Sequence, residues 1–480
     1  MKDRSQEIFG NRMSRSTVRK AEKNRRALMR KFGDDALVGY PLGLTANTVL
    51  SPLGVKNVTV GEGEALDPSR AIVIGNIRMG FGHYRIAMAI ASAASARGYT
   101  PCWMDFASND ASGSKIIRHL NSLYSMGSRL SQKSKLFNKF YWEPLNSEGF
   151  RKLTYNASDQ KMTELMAPLC AGLPQSIPFA GTHTWTTQAA VHAGLTNVAN
   201  VICDNWPMAL HLAEGSTHFV QTPSAYTGYR LLNGMTKEPT SCPMPASAIR
   251  FAGHYIDHEF VANLDADTDR RMERIRNGKA RRILLTVGGA GAQGELYKRI
   301  IAEAAPYVKA GKAVLFVNTG DHKGVNREIL SHLTSLGLDA KEFFDDWNAT
   351  SRFCGDALSS DVKGAYIFNH SDIFAAVYCT NLLIRASDVM ITKPSELAFY
   401  PVPKIMVKRI GGHEAWGAIR SAEVGDGTIE IPATEQAVQV MKLMLDENDL
   451  LSLYNESILK QKSIGTYDGA YRVIDHLTQR

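Results

Sequence analysis

The chain has 480 residues, 44% of them hydrophobic, and carries 55 Lys and Arg against 47 Asp and Glu, a formal net charge of +8. That length and apolar share suffice for two domains with separate cores, and no apolar run approaches the roughly 20 residues of a membrane span. The charge excess is local: residues 1–35 hold eleven Lys and Arg against five Asp and Glu, so the remainder is nearly neutral and is not a general nucleic-acid binder. Within this leader, Val18, Ala21, Leu28 and Phe32 recur at helical spacing among basic residues. Such a segment is either a basic helix lying on an anionic membrane or a solvated, partly disordered leader. The N-terminus is charged from its second residue and has no apolar signal core. The six cysteines (Cys102, Cys170, Cys203, Cys242, Cys354 and Cys379) are dispersed without a CxxC pair. That argues against a structural zinc or disulfide framework and points to a reducing, cytoplasmic setting.

After the leader, short β-rich runs alternate with helical patterns. "AIVIGNI" (71–77) reads as a buried parallel strand, followed by a helix from about Tyr84 to Arg97. "TPCWMDF" (100–106) is the next predicted strand. Residues 112–170 read as mostly helical and amphipathic, with the basic and aromatic stretch "RLSQKSKLFNKFYW" inside. Strand-like runs recur at "NVANVICD" (197–204) and "THFVQTP" (217–223). A proline-rich segment and a charged helix mark a boundary near 240–280. The same grammar then restarts: strand "RILLTV" (282–287), glycine loop "GGAGAQG" (288–294) and helix "ELYKRIIAEAAPYV". Strands follow at 313–318, 365–368, 388–392 and 403–407, and helices end the chain. The expected organisation is a leader and lead-in (1–70), an N-terminal Rossmann-like domain (71–250), a linker (251–280), a C-terminal Rossmann-like domain (281–425) and C-terminal helices (426–480). Ligands of such sheets sit at the strands' carboxyl ends.

Glycines let the backbone approach a phosphate, and a following helix start offers unpaired N–H groups and a positive dipole end. "GGAGAQG" meets both conditions. It lacks the Lys-Ser/Thr of a P-loop, which argues against ATP hydrolysis. No acidic residue ends the next strand, where an NAD ribose partner belongs. A purely structural strand–helix turn is the competing reading of this loop. The first glycine loop, Gly80-Phe81-Gly82, closes on His83.

In order, these pieces resemble the GT-B glycosyltransferases of the MurG and monogalactosyldiacylglycerol synthase group. "MGFGHYRIAMAIA" is similar to that group's N-terminal glycine loop and histidine. "NVICDNWPMALHLAEGSTHFVQTPSAYTGYRLLNG" and "IRFAGHYIDHEF" resemble its middle segments. "RILLTVGGAGAQG" and "LLIRASDVMITKPSELAFYPVPKIMVKRIGGHEAWGA" resemble its donor-domain motifs. The resemblance covers roughly residues 70 to 425. It implies an α/β GT-B fold, two facing Rossmann-like domains with a cleft between them, that needs no metal and no cofactor beyond a UDP-sugar donor. It places Gly288, Gly289 and Gly291, with Gly82 of the first loop, near phosphate. Ser395 and Glu396 fall in the donor loop, where a carboxylate can accept both ribose hydroxyls. Phe368 falls where a backbone group reads uracil, and Gly412, His413 and Glu414 fall on the turn that holds sugar hydroxyls and phosphate. Lys393 is either a compensating cation or an ordinary surface residue.

His83 would be the base that takes the acceptor hydroxyl's proton, a task that suits an unperturbed imidazole pKa of about 6.5. The alternative gives His83 an orienting role and the proton transfer to Asp204, itself open to an N-cap reading. Asp105 is a weaker candidate, and Asp345-Asp346 reads as a solvated acidic turn rather than a metal-binding pair. The phenylalanine in the first loop and the shortened donor loop depart from the group's pattern. The expected function is transfer of a sugar from a UDP-sugar to an acceptor hydroxyl. A membrane lipid is one candidate acceptor and an anionic membrane surface one candidate partner, with region 112–155 as the contact. A UDP-sugar 2-epimerase is the rival enzyme. It would need carboxylates and histidines placed for proton abstraction at C2, and the linear sequence displays no matching histidine cluster. The non-enzyme rival is a nucleotide-sugar or lipid sensor whose chemistry has lapsed.

Overall fold

A computed structural model of the chain describes residues 3–236, 241–288, 291 and 293–479. The chain divides into two compact units. The first runs to His258 and takes back Gly411–His413 and the segment from Asp468 onward; the second comprises Glu259–Ile410 and Glu414–Tyr467.

The first unit opens with a small hairpin, β1 (Glu7–Ile8) and β2 (Asn11–Arg12), followed by helix α1 (Arg15–Phe32). Its sheet contains β3 (Leu42–Ala46), β4 (Lys56–Val60), β5 (Ala71–Asn76), β6 (Thr100–Asp105), β7 (Phe179–Gly181), β8 (Val198–Val201), β9 (Thr217–Val220) and β10 (Ile249–Phe251). The strand order is β10-β9-β8-β7-β5-β6-β4-β3, parallel throughout except for the β3–β4 edge pair. The six residues of β5 are all buried, as an apolar run in the middle of a parallel sheet must be. Helix α2 (Gly82–Ala96) follows it and helix α3 (Ser112–Lys133) follows β6.

Here the observed boundaries differ from the expected ones. Residues 3–70 belong to the first unit, contributing two strands to its sheet. Helix α1 is not a solvated, disordered leader, and its apolar face is occupied by the first unit's own core. Its Ala21 is fully buried, Leu28, Met29 and Phe32 pack on the first unit's core, and Arg25 pairs with Glu164 at 3.0 Å. The thin apolar face read from the sequence is the face that seats the helix.

The second unit's sheet contains β11 (Arg281–Thr286), β12 (Ala313–Asn318), β13 (Ala340–Phe344), β14 (Gly364–Asn369), β15 (Val389–Thr392) and β16 (Lys404–Met406), all parallel, in the order β13-β14-β12-β11-β15-β16. Stretch 251–280, expected as a linker, is largely the helix His258–Arg276. Asp267, Arg271 and Arg274 share one face by their i, i+4, i+7 spacing and are buried. Arg274 makes a two-pronged contact with Asp388 at 2.8–2.9 Å, and Arg271 donates to the Ser387 carbonyl at 2.9 Å. A charged helix is therefore part of the core because each buried charge has its partner. Of the C-terminal helices, Thr434–Asp446 and Asp449–Ser463 belong to the second unit, whereas Gly469–Leu477 belongs to the first.

Candidate functional site

In the first sheet the chain leaves β5 for β6 on one side and later returns to β7 on the other. The loops after β5 and β7 therefore diverge, opening the crevice at which parallel sheets bind ligands. Gly80, at φ +84°, turns the first loop, and α2 begins at Gly82 with Phe81 as N-cap, which supplies no capping side-chain oxygen. His83 sits in that first turn. The β7 loop presents Thr182 and His183 opposite, and the neighbouring strand β8 leads to Cys203 and Asp204.

These loops meet side chain to side chain. His83 Nδ1 lies 2.8 Å from the Thr182 carbonyl, so Nδ1 carries the proton and Nε2 the lone pair. Cys203 Sγ is 3.5 Å from the same nitrogen, and the rings of His83 and His183 meet edge-on with centroids 4.8 Å apart. His183 Nδ1 accepts the Trp185 N–H at 3.1 Å. Burial, and then the fields of His83 and His211, hold the His183 imidazole well below its ordinary pKa, so it is neutral. His211 Nε2 is 3.1 Å from Asp204 Oδ2, and His211 Nδ1 is 2.6 Å from the Tyr229 hydroxyl. Burial pushes the Asp204 carboxyl up, but the His211 hydrogen bond and neighbouring imidazoles outweigh it and hold Asp204 below the ordinary carboxylate range. Asp204 keeps about a quarter of its side chain exposed (27%). Among the described residues, Cys203, Asp204 and His211 form a group with metal-ligand chemistry, their ligand atoms all within 4.8 Å of one another.

The second sheet repeats the arrangement, with β12 on one side of β11 and β15 on the other. The β11 loop contains Gly288 and Gly291, and Gly289 lies outside the described residues. A Cβ on Gly288 would stand 2.9 Å from Lys393 Cε, so glycine there makes room for the lysine stem. Gly291 has φ +62° and backs onto the His322 ring, whose Nε2 lies 3.2 Å from the Gly288 carbonyl. The loop feeds the helix Gly294–Lys309, whose N-cap Gln293 makes no side-chain capping bond. From β15 come Lys393, Ser395 and Glu396. Lys393 Nζ is paired with Glu414, whose other oxygen accepts the Ile410 N–H at 2.8 Å. Ser395 Oγ accepts the Leu397 N–H at 3.3 Å and so caps the short 3-10 turn Glu396–Phe399. The Glu396 side chain is half-buried.

The structure thus gathers Gly82, His83 and Asp204 at one switch point, and Gly288, Gly291, Lys393, Ser395, Glu396 and Glu414 around another. Gly412, His413 and Glu414 form one short 3-10 turn. Phe368 does not fit its expected role. It is a fully buried core residue stacked on Phe343 at 4.9 Å, and its carbonyl already accepts from Thr319 N and Oγ1, each at 2.9 Å. Lys393 is a cation held in an ion pair, not an ordinary surface residue. Asp105 is structural: it accepts the Tyr84 hydroxyl at 2.8 Å and the Ala107 N–H at 2.8 Å. Asp345 accepts from Ser371, and Asp346 caps the helix Trp347–Asp356. His183, His211, Cys203, Tyr229 and His322 are the site residues that sequence reasoning missed. A short strand before "THTW" is the one local signal that could have found His183.

Residues 7–231 match the model of a domain of unknown function, DUF6937, and residues 244–478 match that of a second, DUF6938. No curated protein matches the sequence. Among solved structures, the chain is similar to the S. aureus MnaA–UDP complex, with TM-score 0.46 and 12% identity over 85% of this chain and 96% of the other. It is also similar to UDP-GlcNAc 2-epimerase from Neisseria meningitidis bound to UDP-GlcNAc, with TM-score 0.42 and 10% identity over 85% of this chain and 100% of the other. A third similarity is to α,α-trehalose 6-phosphate synthase from Burkholderia multivorans, with TM-score 0.43 and 12% identity over 85% and 98%.

Proposed function

We propose that the chain is a GT-B glycosyltransferase that moves a sugar from a UDP-sugar donor to an acceptor hydroxyl. The observation that carries this reading is the second unit's switch point. There a glycine loop feeding an uncapped helix stands beside the Lys393–Glu414 pair and the Ser395-Glu396 loop. Unpaired N–H groups and a nearby ammonium suit a diphosphate, and a half-buried carboxylate suits a ribose diol. Binding would draw Lys393 from Glu414 toward phosphate. In the first unit, His83 Nε2 takes the acceptor proton while the Thr182 carbonyl holds the ring's other N–H, with Asp204 as the alternative base. Gly82, Gly412 and His413 are assigned to phosphate and sugar contacts by the sequence resemblance alone.

A lipid acceptor at an anionic membrane surface is supported by region 112–155, where Leu136 and Phe140 are each 71% exposed and Leu123, Met126, Leu130 and Tyr141 are exposed as well. Lys139 lies over the Phe140 ring at 5.5 Å. Apolar side chains interleaved with cations suit an interface of lipid headgroups. No helix among the described residues is long and apolar enough to cross a membrane.

A second reading, a UDP-sugar 2-epimerase, gains from one observation: the fold assembles His83, His183 and His211 around Asp204, the cluster that the linear sequence hid. The test is calorimetry with UDP, GDP, ADP, NAD and their sugar derivatives, followed by incubation of the bound UDP-sugar in D2O without acceptor. Selective UDP binding, weakened about tenfold or more by Glu396→Ala, is expected, with no deuterium at C2. Deuterium at C2 would move the assignment to the epimerase, and no nucleotide binding would leave a lapsed binding protein.

A further inference from the structure

We propose that Cys203, Asp204 and His211 form a site for one zinc-class divalent cation, bound by thiolate, carboxylate and imidazole with one position left open. Zinc bonds of about 2.0–2.3 Å to N, O and S donors place tetrahedral ligand atoms about 3.3–3.8 Å apart. Asp204 Oδ2 and His211 Nε2 are 3.1 Å apart, and Cys203 Sγ and Asp204 Oδ2 are 4.0 Å apart. Both separations lie within about a few tenths of an ångström of that range, and the ligand atoms of the group all lie within 4.8 Å of one another. The thiolate and imidazole select zinc over magnesium or calcium, which prefer oxygen-rich sites.

The surrounding shell holds these ligands in place. Asn200 Nδ2 donates to the His211 carbonyl at 2.6 Å, and Gln221 Nε2 donates to the Cys203 carbonyl at 2.9 Å. Both ligand-bearing loops are thereby tied to the strand layer. His211 Nδ1 faces the hydroxyl of the fully buried Tyr229 at 2.6 Å. A metal-bound imidazole keeps its proton on Nδ1 and donates it to such a partner. The Tyr229 hydroxyl then turns its own proton to the Trp206 carbonyl, 3.4 Å away, while still accepting the Met208 N–H at 3.3 Å. The His211 proton moves from Nε2 to Nδ1, and the thiol proton of Cys203 leaves to solvent, so one proton is released per ion. Asp204 is the exposed ligand, on the side from which an ion would enter, and Cys203 and His211 close the buried side. An ion with an open position there would bind water or an alcohol oxygen and bring its pKa down toward about 7. Binding of the ion does not depend on a sugar nucleotide, but it takes up Asp204 as a ligand and so leaves the acceptor proton to His83.

The experiment uses the untagged full-length protein, stripped with a chelator and titrated with zinc against a chromophoric competitor, and with cobalt for its thiolate charge-transfer band. One ion per chain is expected, with that band present. Cys203→Ser should abolish the band and weaken zinc at least 100-fold. Tyr229→Phe should weaken zinc 10–100-fold with stoichiometry kept. Near-ultraviolet circular dichroism checks each fold, and His211→Gln replaces Cys203→Ser if the latter is unfolded. No binding at micromolar zinc, or binding that the ligand variants leave unchanged, would overturn the site. Because no sugar nucleotide is present, failure here and failure of UDP binding are separate results.

Discussion

His83 is fixed by a contact that any side chain at position 182 would provide, because its partner is the backbone carbonyl of Thr182. The interaction leaves Nε2 as the nitrogen able to receive a proton. His83→Ala is therefore expected to lower turnover by ~10²–10⁴ with an unchanged melting temperature, the range of a positioned general base. Full activity in that variant would transfer the role to Asp204. His83 and Asp204 were legible in the sequence because each ends a strand-and-loop pattern. His183 and His211 were not, since they lie about 100 residues or more from His83 and only the β7 and β8 crossovers bring them together. Cys203 had no signature either: a solitary cysteine gains meaning only from the His83 and Asp204 side chains beside it. Phe368 went the other way: the resemblance sets its backbone against a base, but its carbonyl is taken by Thr319 within the sheet and its side chain fills the core against Phe343.

Among the elements, the long buried strands β5, β11 and β12 and the helices after them were legible from apolar runs and glycine loops. The edge strands β3, β10 and β13, and β4 next to the edge, were not, because alternating or half-exposed positions give short strands no apolar run. The helices Leu153–Thr163 and Thr184–His192 show what pairing two ordinary elements can do to one side chain. Asp159 is buried between them, accepting the Trp185 indole N–H at 3.1 Å. Burial pushes its carboxyl from an ordinary 3.8 up to about 8, outweighing that hydrogen bond. With the folded pKa raised, its contribution to stability is complete below about pH 4 and is lost as pH rises through about 8. Within that window one such group changes stability by about 1.4 kcal/mol per pH unit. Asp159→Asn keeps an oxygen for Trp185 and removes the titration. Denaturant melts at pH 5, 6.5 and 8 should show the variant gaining on the wild type at each step; parallel pH profiles would mean that Asp159 ionises without cost.

At the scale of the whole molecule, the order of the chain and the order of the units differ. The segment from Asp468 onward leaves the second unit and completes the first, so the last helix packs on α2, the helix that begins at His83's turn. A pattern of apolar residues announces the helix Gly469–Leu477 but not which sheet it serves. Ala470, Val473, Ile474 and Leu477 are buried there, and Asp475 grips the Arg97 guanidinium with contacts of 2.7 and 2.9 Å. Burying Val, Ile and Leu side chains contributes ~1.5–3 kcal/mol each. Their sum is comparable with the ~5–15 kcal/mol that holds a typical domain folded. Removal of residues 468–480 should therefore lower the first unit's melting transition by ~10 °C or more, or abolish it, while the second unit's transition survives. Scanning calorimetry of the truncated chain separates the two. If the first transition stayed in place and the second fell, the last helix would belong functionally to the unit it follows in sequence, and the two-unit division of the chain would have to be redrawn.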